Sequence, residues 1–395
     1  MLTELFKNKR SFIGLLCALA VSAVVLCGCP PKEQSGGTGD TPAKPEVVKI
    51  GYVLPLSGRG ADYGAVQQKA IEIALAEVNK EAKRVEVVYE DSQLDPTKAL
   101  TAAERLVSVN KVNVLFGFSS GETLAVAGVA KRSKLLLVAP MASSLELDEA
   151  KDAMIRLAPS DAAQAEEVAK VVRRLGHANA AILHVNDVWG KGLAKAFETA
   201  FQAEGGKVAT NETCEPGATD FRAQLTKVKS LNPAVFFIPV HPDEALPLLR
   251  QAKDLGVKSK VFGGDTFSNE AVYADKSKLA EGVVFALPAD SDTEAWKEFS
   301  RAYKEKNGNQ PDINGAAAYD AVKIIAEVAQ KAASLTAVDL RKAVIDGIQS
   351  YVGATGEFSI SAEGIATGKR YGVFVVKGGA YKPMDLPGAK GGKAQ

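Results

Sequence analysis

Cysteine is scarce in this chain of 395 residues: there are four, and Cys17, Cys27 and Cys29 all fall near the N-terminus. Cys214 stands alone in the remainder, so no internal disulfide is available there, and as a lone thiol near a strand end it is expected to be inert. Histidine numbers three and methionine four. His177, His184 and His241 show no metal-ligand spacing, which argues against a metal or haem protein. Neither sign of charge prevails, with 48 Lys+Arg against 47 Asp+Glu, or 45 against 46 once residues 1–28 are set aside. Without a basic run there is no electrostatic footprint for nucleic acid. A Gly-x-Ser-x-Gly elbow is missing as well, so hydrolase chemistry has no motif to stand on. Beyond residue 28 no stretch approaches the roughly 20 apolar residues that span a bilayer.

What is present begins at the N-terminus. Lys7, Lys9 and Arg10 precede an apolar run from Phe12 to Val25, too short to cross a membrane and patterned as a signal peptide. It ends in Leu26-Cys27-Gly28-Cys29, which resembles the bacterial lipobox, although Ala, Ser or Thr is commoner than Cys at the position of Cys27. The resemblance implies cleavage before Cys29 and lipidation of Cys29. The protein would then sit in the periplasm or at the cell surface, anchored by acyl chains that together hold far more firmly than one. Residues 29–46 read as a flexible tether: Pro30 to Glu46 is rich in Pro, Gly, Thr and Lys and holds too little apolar surface to offset chain entropy.

The rest alternates. Strand patterns at Val47–Leu54, Val85–Tyr89, Val112–Phe116, Leu135–Val138, Ala180–Val185, Val208–Thr213, Ala234–Ile238 and Gly282–Ala286 are mostly separated by amphipathic helical stretches. Near-continuous apolar strands between helices imply parallel sheets covered on both faces, an α/β fold. About 350 residues exceed what one core usually holds, so two lobes are expected. Helical patterns at Asp292–Lys306, Gly315–Lys331 and Ala337–Asp346 and strands at Glu357–Ile360 and Tyr371–Lys377 should return to complete both sheets. Ligands of such sheets sit at the carboxyl ends of the strands. Asp95, before Pro96, fits a helix N-cap, and Asp91 looks structural.

Seven segments in order carry a resemblance: IGYVLPLSGRGADYG (50–64), YEDSQLDP (89–96), FGFSSGETLAVA (116–127), VAPMASSLEL (138–147), NDVWGKGLAKAF (186–197), VHPDEALPLLRQAKDLG (240–256) and VFGGDTFSN (261–269). Together they resemble the leucine/isoleucine/valine-binding proteins, the extracellular solute receptors of ABC transporters. That resemblance implies two doubly wound lobes joined by three crossovers, with ligand in the cleft between them. One lobe would take 47–159 and 289–351, the other 160–288 and 352–395, with crossovers near Leu157–Ser160, Ala286–Ala289 and Val352–Gly356. It also implies a monomer that performs no chemistry, binds no cofactor, captures an amino-acid-like solute by hinge closure and delivers it to a membrane permease.

The same resemblance assigns residues. Ser120, or Ser119 in the other register, would bind an α-carboxylate, a role that shares its geometry with helix capping. The Ala142 carbonyl and Ser143 would meet the charged ends of a zwitterion, with Ser144 as the alternative. Asp265 would pair with the ammonium, one methylene shorter than the Glu of well-known members. Tyr63, Trp189 and Val240 would line the side-chain pocket, where Trp replaces the commoner Tyr and Val another Tyr, so branched aliphatic is only the default ligand. His241, in the pocket loop, could touch ligand, but a hydrogen-bonded place on the hinge side is expected.

Three other readings are weighed against it. Gly58, Gly60 and Gly64 after a strand, with Glu90 or Asp91 ending the next, imitate a dinucleotide fingerprint. The third glycine comes one residue late, however, and Pro55-Leu56-Ser57 lengthens the turn. A ligand-sensing receptor subunit and an amide- or urea-binding relative also remain open.

Overall fold

The computed structural model describes residues 47–288 and 293–386. The signal segment, Cys29 and the tether lie outside the described residues, as does the end of the Ala286–Ala289 crossover. No helix among the described residues is long and apolar enough to cross a membrane.

The first sheet holds β1 (Val48–Leu54), β2 (Val85–Asp91), β3 (Val114–Gly117), β4 (Leu136–Ala139) and β5 (Met154–Arg156), all parallel in the order β2-β1-β3-β4-β5. Successive side chains of a strand point to opposite faces. Ile50, Tyr52 and Leu54 of β1 therefore enter one core, with Ile71 and Ile325 from the covering helices. Val53 enters the other, with Leu106 and Val126. Helices on both sides explain why the strands read as continuous apolar runs.

The second sheet is built from β6 (Asn179–Val185), β7 (Lys207–Cys214), β8 (Val235–Ile238), β9 (Lys260–Gly263) and β10 (Val284–Pro288). The chain then returns to the first lobe through Glu294–Asn307, Ile313–Lys331 and Ala337–Gly347. A small sheet follows: β11 (Tyr351–Gly353), β12 (Gly356–Ile360) and β13 (Ala366–Thr367). Finally β14 (Tyr371–Val376) and β15 (Tyr381–Pro383) add antiparallel strands to the second sheet, giving β15-β14-β10-β9-β8-β6-β7.

One expected boundary moves. Residues 352–367 were expected in the second lobe, but Ala354, Phe358, Ile360 and Ala366 pack into the first core with Phe299 and Tyr303. The cause is Asp320, a buried carboxylate on the helix Ile313–Lys331. It accepts from Ala354 N at 2.9 Å, Thr355 N at 2.8 Å and Thr355 Oγ1 at 2.7 Å, pinning the turn between β11 and β12. The third crossover thus comes between Thr367 and Tyr371, after the expected Val352–Gly356. Within the second lobe, just after the first crossover and just before the second, Gln164 Nε2 donates to the Ala286 carbonyl at 2.8 Å.

Candidate functional site

Loops after the strand ends of both sheets converge. From the first lobe, Ser119 caps the helix Ser120–Arg132: its hydroxyl accepts from Glu122 N at 3.3 Å, and the Glu122 carboxylate accepts from Ser119 N at 3.1 Å. Capping therefore falls on Ser119 and leaves Ser120 for other work. Ser120 Oγ accepts from Ser143 N and Ser144 N, each at 3.2 Å, tying the loops after β3 and β4 together. Ala142 is buried beside them and Ser143 half-buried. Glu122 is itself buried, and that burial raises its carboxyl above the usual range.

Tyr63 is buried and packs on Phe118, with ring centroids 5.4 Å apart. It sits there because its helix packs tightly on the loop after β1: a Cβ on Gly64 would lie 1.8 Å from the Pro55 carbonyl oxygen. That loop is held by Asp91, which accepts from Leu56 N at 2.8 Å and from Ser57 Oγ at 2.5 Å. Asp91 is thus occupied by the loop, and Glu90, the other acid of the dinucleotide reading, pairs with Arg105 at 3.2 Å.

From the second lobe, Asp187 caps the helix Val188–Ala203 by accepting from Gly190 N at 2.8 Å. Trp189, in its first turn, packs against Gly264, where a Cβ would come within 3.0 Å of the indole. Val240 is fully buried in the second core, and its carbonyl accepts from Thr266 Oγ1 at 2.9 Å. Asp265 follows β9, and its Oδ1 is buried without a hydrogen-bond partner. Burial, reinforced by Asp312, pushes this carboxyl up to about 6 against the opposing pull of His241.

His241 is hydrogen-bonded, and its ring faces the opposite lobe. It stands between Trp189, at 5.0 Å, and Tyr63 of the opposite lobe, at 6.4 Å between ring centroids. Its Nε2 lies 2.7 Å from Asp187 Oδ2, and its Nδ1 is buried without a partner. Burial alone would lower its pKa, but the bond and charge of Asp187 raise it above the usual imidazole value. The directly preceding Val240 was a sequence clue to its position; the pairing with Asp187, 54 residues away, was not readable.

Arg59 reaches across the cleft from the loop after β1. Its Nη2 lies 3.4 Å from Glu244 and its Nε 3.9 Å from Asp243, both on the helix Pro242–Leu255. Glu244 is fully buried and also accepts from Gly217 N at 2.6 Å. Beside this bridge a cavity of about 670 Å³ opens, lined by Arg59, Ser119, Asp187, Trp189 and Lys191 among others. Cys214 is buried nearby, with its thiol pushed up to about 12 chiefly by that burial. Among the described residues no cluster of three or more His, Cys, Asp and Glu could hold a metal ion.

Residues 47–380 match the family model described as periplasmic binding protein. The Leu/Ile/Val-binding protein BraC3 of Rhizobium johnstonii is 30% identical over 62% of this chain and 68% of its own length. Among solved structures, a leucine-binding protein LivK from Thermotoga maritima superposes with a TM-score of 0.80 at 26% identity, covering 86% of this chain and 98% of that one. The branched-chain amino acid transporter substrate-binding protein LivJ from Streptococcus pneumoniae, solved with isoleucine, gives 0.78 at 26% identity, with 86% and 99% covered.

Proposed function

We propose, since the chain belongs to the periplasmic binding protein family, that it captures one α-amino acid between its lobes and hands it to an ABC permease. The observation that carries this reading is Asp265, a carboxylate on the loop after β9 with a buried oxygen that no protein group satisfies. A buried, unpaired charge is costly unless a partner arrives, and an α-ammonium supplies that partner. Ser120, whose oxygen already accepts two N–H groups, retains its hydroxyl hydrogen for the ligand carboxylate. Ser143 and the Ala142 carbonyl complete the charged end, while Tyr63 and Trp189 form aromatic walls. Branched aliphatic side chains are the default, and the Trp189–His241 pair, with rings tilted by 31°, also suits a flat one. Closure by hinge motion would present the closed form to the permease. Lipidation at Cys29 would keep the protein beside it. The protein would act as a monomer and without a cofactor.

A thermal-shift screen of the full chain against the twenty amino acids, simple amides, urea and NAD tests this. A ligand at a hundred times its Kd adds about 2.7 kcal/mol of stability. Shifts by aliphatic or aromatic amino acids support the reading. Shifts by amides or urea alone would remove Asp265 from its role, and a shift by NAD alone would overturn the binding-protein reading.

A further inference from the structure

We infer that Asp161 is a second anionic contact for the cationic end of the ligand, working beside Asp265. This rests on the amino-acid reading and deepens it.

Asp161 opens the helix Asp161–Arg174 just after the first crossover. Its N–H donates to the Ser143 carbonyl at 3.0 Å, which fixes it against the loop assigned to the ammonium. It has no capping duty, because Ser160 Oγ already accepts from Ala162 N at 3.2 Å. The residue is 1% exposed, and neither carboxylate oxygen has a hydrogen-bond partner. The Ser143 hydroxyl lies alongside and favours the ionised form without making a well-formed bond. Oδ2 lies 3.6 Å from where a Cβ of Gly192 would stand, on the helix of the same lobe that carries Trp189.

Buried polar groups are almost always satisfied, so two empty acceptors on one carboxylate require a reason. The charged groups around it do not supply one. Arg156 is the nearby cation, but its Nη1 donates to the Ser144 carbonyl at 2.9 Å and its Nη2 pairs with Asp148 at 3.2 Å. Asp265 and Asp187 are anionic and oppose ionisation, and the Tyr371 hydroxyl feels both Asp161 and Asp265. Burial first, then Asp265, pushes the Asp161 carboxyl up to about 7. A cation arriving between the two carboxylates reverses that balance and favours both ionised forms.

The test compares full-chain wild type with Asp161→Asn. Without ligand, Asn mimics the protonated acid, so the variant should melt higher than wild type at pH 8 and equally at pH 4.5. L-leucine calorimetry at pH 7, in phosphate and in Tris, should show release of about half a proton per ligand bound. The variant should lose that release and roughly tenfold or more in affinity. A variant less stable at pH 8 makes Asp161 structural and overturns the inference, as does unchanged affinity with the same proton count. If L-leucine fails to bind wild type, it is the amino-acid reading that suffers, and methylammonium chloride decides Asp161 alone. Stabilisation at pH 8, relative to equal sodium chloride, that is lost in Asp161→Asn supports the contact; equal stabilisation of both proteins overturns it.

Discussion

At the scale of single residues, the candidate site is governed by which buried charges have partners. Asp265 lacks one, so Asp265→Asn should cost about 2–5 kcal/mol of affinity for an α-amino acid while the melting temperature of the free protein holds or rises. Calorimetry on the variant checks this, and unchanged affinity would remove Asp265 from the site. Wild-type affinity should also strengthen as pH rises through about 6, where the Asp265 carboxyl ionises. His241 runs the other way. Its pKa is raised in the fold, so its bond to Asp187 contributes fully below the unfolded value near 6.5 and fades as pH climbs through the folded one. His241→Asn should therefore lose about 2 kcal/mol of stability at pH 6 and clearly less at pH 9, read from urea unfolding. A constant difference across that range would mean that His241 acts by packing alone.

At the scale of elements, alternation of apolar runs with amphipathic stretches marked most strands and helices to within a few residues. The sequence fell short where an element is only two or three residues long. β5, β13 and β15 are too brief to show a period, and they exist because a neighbouring strand edge accepts them. The lobe of β11–β13 depended on Asp320, whose hold on Ala354 and Thr355 spans more than thirty positions and leaves no local trace. The site was legible in the same uneven way. Order along the chain placed Ser120, Ser143 and Asp265 on strand-end loops, yet it could not reveal that His241 faces Tyr63 or that Asp161 lacks a partner. Ser119 and Ser120 were indistinguishable as a pair until the capping box separated them. Ser119→Ala should cost about 1 kcal/mol of stability by chemical denaturation with ligand affinity nearly intact; a large affinity loss at full stability would return Ser119 to the binding register.

At the scale of the molecule, the lobes meet through Arg59, a direct charge contact across the cleft. Its side chain is 28% exposed, whereas Glu244 is fully buried and keeps the Gly217 N–H without it. Discounting for that exposure, Arg59→Ala should weaken closure by about 1 kcal/mol. Small-angle scattering should show the ligand-free variant more expanded than wild type, and affinity should fall by a similar free energy. Equal dimensions and affinity would mean that the bridge follows closure without favouring it.

The bond from Gln164 to the Ala286 carbonyl has a mechanical consequence. Separate connecting peptides between two rigid bodies allow bending, twisting and sideways slip. The bond fastens the first helix of the second lobe to its last parallel strand, 122 residues apart in sequence, so both connections spring from one rigid base. The remaining freedom is close to a swing about a single line, so the distance between lobe tips encodes one angle, and any partner that touches both tips measures that angle directly.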